Sequence, residues 1–183
     1  MLKVRYALGL ALLMAASLYL LPALQAADNP VPDSPEVSGL LAQAKTRSIQ
    51  LRDDSDLMRS FNLTGTFWQN HADQITMIKS HVNNLGKLLR EMDSKREMAS
   101  PWQQEAIDHI TPLAAELASS VENTIEHLNT NQNRLHTPQY RDYLTANYNL
   151  SVSLSALIGD FVSYGKNRAE YEKLGSELEL PGS

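Results

Sequence analysis

Apolar residues recur every three or four positions along most of the chain, and no stretch alternates long enough to make a strand. This period predicts four helices. The first, at about 35–60, places Val37, Leu40, Leu41, Ala44, Leu51 and Met58 on one face, with Ser48 and Ser55 interrupting the stripe. The second, at about 66–98, carries Trp68, His71, Ile75, Ile78, Val82, Leu85, Leu89 and Met92, alternating steps of three and four in a seven-residue repeat of the coiled-coil kind. The third, at about 101–135, shows Ala106, Ile110, Leu113, Leu117, Val121, Thr124, Leu128 and Leu135. Pro112 falls inside it, but the stripe keeps its phase from Ile110 to Leu113. One helix kinked near Pro112, with the Asp108 carbonyl freed, is therefore predicted over two short ones. The fourth, at about 138–174, has Tyr140, Tyr143, Leu144, Leu150, Leu154, Leu157, Phe161, Tyr164 and Tyr171.

Helix starts are marked by Ser34-Pro35, Ser100-Pro101 and Thr137-Pro138, where the hydroxyl caps and the proline sits at the first helical position. Gln103 and Gln69 each follow a capping residue by three, so capping boxes are predicted at Ser100 and at Thr66. Helices two to four are each about 50 Å long at roughly 1.5 Å per residue. Matched lengths joined by short turns predict an all-α fold, an antiparallel up-down-up-down four-helix bundle. Ser151, Ser155, Gly159 and Ser163 form a small-residue ridge beside the apolar face of the fourth helix and predict a close helix contact there.

The N-terminus follows another pattern. Lys3 and Arg5 precede an apolar run from Tyr6 to Leu21, and Pro22-Ala23-Leu24-Gln25-Ala26-Ala27 follows it. This is the layout of a secretory signal over residues 1–26, cut after Ala26. Its 16 apolar residues fall short of the roughly 20 that a spanning helix needs. Export to the periplasm or the exterior is expected, and an uncleaved membrane anchor is the alternative. Residues 27–34 read as a proline-spaced linker, 35–175 as the helical domain and 176–183 as a tail.

Composition narrows the chemistry. The 183 residues include no cysteine, which excludes disulfides, thiolate metal sites, a cysteine nucleophile and covalent haem attachment. The net charge is −5, and loss of Lys3 and Arg5 with the signal takes it to −7. Nucleic acid is not an expected partner for so acidic a chain, and a membrane is expected only through the signal or anchor segment. Bundles can hold two-metal centres through inward Glu-x-x-His pairs, but here Glu105 precedes His109 by four and Glu122 precedes His127 by five. Asp53-Asp54-Ser55-Asp56 starts like a calcium loop but lacks its glycine and terminal Glu, so it reads as a solvated face. Glu91, four before Lys95, predicts an ion pair on the second helix. Hydrolase and phosphate-loop motifs are missing, and no catalysis, metal or cofactor is expected.

His71 is the most informative histidine, since it holds a core position between Trp68 and Ile75. A buried imidazole needs a hydrogen-bond partner from a neighbouring helix or a ligand. His81, His109 and His127 lie one step off their stripes, and His136 lies in a turn. Up-down topology brings the end of helix one, the start of two, the end of three and the start of four together. The candidate cofactor-binding residues are therefore His71, Met58, His127, Tyr140 and Tyr143. In architecture this layout resembles the periplasmic bundle cytochromes, which imply a non-covalent haem held by a Met near the first helix start and a His near the last helix end. Met58 lies at the opposite end of helix one, and helix four contains no histidine, so that ligand pair does not carry over.

The expected function is thus an exported, non-catalytic helical bundle that binds a protein or envelope component, or self-associates, with the weak first helix as the wall a partner would cover. The alternative is a carrier of a small ligand, haem or metal at the bundle end around His71.

Overall fold

The structure is a computed structural model and describes residues 31–178. The expected signal at 1–26, the linker as far as residue 30 and the tail from 179 lie outside the described residues. The chain forms α1 (Pro35–Thr64), α2 (Trp68–Ser94), α3 (Pro101–Thr130) and α4 (Pro138–Glu177), with one 3-10 turn at Arg96–Met98. Each helix packs against its sequence neighbours, and α4 closes the ring against α1. The short connections reverse the chain each time, and the fold is the predicted antiparallel four-helix bundle. Among the described residues no helix is long and apolar enough to cross a membrane.

The helix starts follow the capping signals with one exception. Ser34 Oγ accepts from Val37 N at 3.4 Å, Thr137 Oγ1 accepts from Tyr140 N at 3.4 Å, and Gln103 Oε1 accepts from Ser100 N at 3.0 Å. The capping box predicted at Thr66 does not form: α2 begins at Trp68 with Phe67 as an N-cap that makes no side-chain bond, and the Thr66 hydroxyl pairs with that of Thr64 at 2.7 Å. The turn leaves no room for it, because α1 runs on to Thr64. α1 stops at Gly65, whose φ of 63° is the left-handed conformation that favours glycine and whose N–H bonds back to the Phe61 carbonyl.

α3 is one continuous helix through Pro112, as its unbroken stripe requires. It ends at Thr130, short of the predicted 135, because Asn131 leaves helical geometry and its side chain donates to the His127 carbonyl at 3.1 Å. Leu135 still reaches the core, but from the turn. The predicted Glu91–Lys95 pair is replaced, since Lys95 stands beyond the last turn of α2 and reaches Glu36 on α1.

The stripes read from the sequence are the core. Leu41, Leu51, Met58, Ile78, Leu85, Met92, Ile110, Leu117, Tyr140, Leu144 and Leu154 are all fully buried. Ser48 and Ser55, which interrupt the apolar stripe of the first helix, are buried as well. The Ser55 and Ser151 hydroxyls meet at 3.0 Å between α1 and α4; with two hydrogens between them, one donates across the interface and the other to the carbonyl four residues back in its own helix, Leu51 or Asn147. α1 is therefore an intact wall, and the small-residue ridge makes its close contact at Ser151. At 40 residues, α4 outruns its 27- to 30-residue neighbours, which leaves Tyr171 exposed where the stripe placed it inward, while Tyr164 lies half outside with its ring edge-on against Trp102 of α3 at 5.5 Å between centroids.

Candidate functional site

Four of the five candidate residues converge in side-chain contact. His71 on α2 and Tyr140 on α4 are 1% and 0% exposed, and His71 Nδ1 lies 2.9 Å from the Tyr140 hydroxyl. The bond crosses the bundle diagonally. Burial lowers the His71 pKa below its ordinary value and raises that of Tyr140, so imidazole and phenol are both neutral and satisfy each other. His127 stacks on Tyr140 at 5.5 Å between ring centroids and tilts against Tyr143 at 5.3 Å, while Phe61 meets the edge of His71 at 5.2 Å. Met58, the fifth, is buried on the core face of α1.

This end is a packed aromatic cluster. The hollow beside it holds about 280 Å³ and is lined by Asn123, Glu126, His127, Thr130 and Tyr143, without His71 or Tyr140. Among the described residues no three His, Asp or Glu side chains converge as metal ligands. His127 Nε2 is buried without a hydrogen-bond partner, yet its ring is held between two tyrosines. His81 bridges helices instead, with Nε2 at 3.1 Å from Asp54 Oδ2 on α1. Asp54 is thus tied to α2, while Asp53 and Asp56 remain on the solvated face as read from the sequence.

The opposite end carries a polar brace. Gln103 is fully buried; its Oε1 accepts from Ser34 N at 2.9 Å and Ser100 N at 3.0 Å, and its Nε2 donates to the Ser34 carbonyl and Ser38 Oγ, each at 2.9 Å. All four hydrogen-bonding positions of one amide are used, and they tie the entry of α1 to the start of α3. Beside it Trp102 Nε1 donates to Asp33 Oδ1 at 2.7 Å, and its ring lies where a Cβ on Gly165 would come within 2.6 Å. The arrangement is structural and closed.

The open feature is a groove between α2 and α3. It has a volume of about 740 Å³, inside the roughly 300–1,000 Å³ span of small-molecule sites. Residues 82–93 of α2 and 108–118 of α3 form its walls, about 15 Å long at 1.5 Å per residue. Gly86, Ala114, Ala115 and Ala118 are small enough to leave the floor open, with Val82, Leu89 and Pro112 adding apolar surface. Pro112 offers no N–H to the Asp108 carbonyl, so the helix is also locally unsatisfied there. At one end Arg96 bonds Asp93 at 2.9 Å and Asp108 at 2.6 Å, which holds the Asp108 carboxyl below the usual carboxylate range. Lys87 and Arg90 also line the groove, and among the described residues neither makes an ion pair.

Sequence reasoning placed the site at the His71 end and missed this groove. The signal was present in the outward positions of two helices, Gly86 on one and Ala114, Ala115 and Ala118 on the other, which only the helix pairing brings face to face. Comparison with protein families, with characterised proteins and with solved structures gives no match.

Proposed function

We propose that the chain is an exported, non-catalytic binding module whose binding face is the α2–α3 groove. The observation that carries this reading is the groove itself, a cleft of ligand size whose lining includes two cations that, among the described residues, make no ion pair. The charged start, apolar run and small residues of positions 1–26 support export. The alternative of a haem or metal carrier at the far end is less well supported, because the rings of Phe61, His71, His127, Tyr140 and Tyr143 fill that end by packing on one another.

A photo-reactive residue at Ala115, in the groove, tests the reading against the same residue at Val152, an exposed position on α4 outside it. Expressed with the native signal, the exported protein should yield a defined adduct from position 115 and none from 152. Equal labelling at both positions, or none at either, would contradict the reading.

A further inference from the structure

We infer that the groove takes a free fatty acid, a single-chain amphiphile with one carboxylate, an assignment that rests on the binding reading above. The argument begins with charge. The groove lining holds three cations, Lys87, Arg90 and Arg96, and two carboxylates, Asp93 and Asp108. Both carboxylates are committed to Arg96, so the groove carries one net positive charge on a chain whose net charge is −5. A monoanion balances it. Among the described residues the lining cations without an ion pair are Lys87 and Arg90, one turn apart on α2.

Shape completes the argument. Arg90 Nη1 lies 3.5 Å from where a Cβ on Gly86 would stand, so the exposed guanidinium folds back over the glycine along the groove. A carboxylate bound there would have the rest of its chain over Leu89, Pro112, Ala115 and Ala118, surfaces that offer apolar contact and few hydrogen bonds. An α-helix of about 10–12 Å diameter would have to ride on the rim. A bilayer surface would touch only the rim of a concave site.

The test is calorimetric titration of the mature chain with dodecanoate below its micellar concentration. Saturable one-to-one binding is expected. Dodecyl maltoside, with the same tail and a neutral head, should bind at least about tenfold more weakly, as should dodecanoate to the Lys87→Glu, Arg90→Glu double variant. Gly86→Leu should abolish binding by filling the floor. It should not lower the melting temperature, because leucine is the better helix former and the position is open apart from Arg90. No dodecanoate binding, equal binding of the neutral amphiphile, or undiminished binding by Gly86→Leu would overturn the assignment. A polypeptide adduct from position 115 without dodecanoate binding would overturn the fatty acid and leave the binding module standing. Absence of both would overturn the two together.

Discussion

Replacing Gln103 by alanine is expected to be the most damaging single polar truncation at the α1–α3 end. Its amide makes four hydrogen bonds in a fully buried position, three of them to backbone groups of Ser34 and Ser100. Ser38 is exposed and can rotate its hydroxyl to water. The Ser34 carbonyl keeps its bond from Ser38 N at 3.0 Å, but the Ser34 and Ser100 N–H groups have no such recourse. Each orphaned buried group costs about 1–3 kcal/mol, and partial entry of water at Ser34, which is 7% exposed, brings the sum to about 2–4 kcal/mol. Against a typical stability of about 5–15 kcal/mol that is a large share. In urea, with a slope of about 2 kcal/mol per molar, the unfolding midpoint should fall by about 1–2 M, followed by the helical circular dichroism signal. Gln104→Ala is the control, because its two bonds go to the Arg96 and Ala99 carbonyls from a half-buried position, and about 1 kcal/mol is expected. A loss below about 1 kcal/mol for Gln103→Ala, or one equal to the control, would refute the idea that this amide is the brace.

Tyr140→Phe should destabilise the bundle by about 1–3 kcal/mol, and so should His71→Leu, since either leaves the other partner buried and unpaired; together they should cost less than their sum in a double-mutant cycle. The same pair sets a pH dependence. Burial holds the folded pKa of His71 below its ordinary 6.5, so below that pH the unfolded chain binds a proton that the native chain does not. Stability should therefore fall as the pH drops from 6.5 toward the folded value, and urea midpoints for His71→Leu should lack that component. Two glycines of α4 should respond in opposite senses in thermal melts. Gly159→Ala meets nothing within 4 Å and should stabilise by about 0.5–1 kcal/mol, whereas Gly165→Ala drives its Cβ into the Trp102 ring and should destabilise by about 1–3 kcal/mol.

The fold was legible because its signals are local and periodic. A stripe such as Ile75, Ile78, Val82, Leu85, Leu89 and Met92 needs only helical geometry to name a buried face, and Ser34-Pro35 needs only its own backbone to start a helix. The convergence of His71, His127, Tyr140 and Tyr143 was legible too, since antiparallel topology and residue number fix which ends meet. What failed depended on a particular side chain finding a particular neighbour. Gln103 was read as serving its own helix, and half of its bonds go to residues 69 positions away. Ser48 and Ser55 interrupt the stripe in the sequence, yet both are buried, Ser48 with its hydroxyl on the Lys45 carbonyl and Ser55 with its hydroxyl against that of Ser151. The Thr66 box was overruled by the length of α1, and the inward Tyr171 by the overhang of α4. The groove was hidden for the same reason. Small residues on outward positions carry no periodic signal until two helices are set side by side.

Hydrogen–deuterium exchange on the full chain, compared between the cell fraction that contains it and the purified state, tests the assignment of the binding face most directly. Added protection confined to residues 82–93 and 108–118 is the predicted result, because those segments line the groove. Protection gained instead around His71, His127 and Tyr140, or no difference between the two states, would contradict the groove as the binding face.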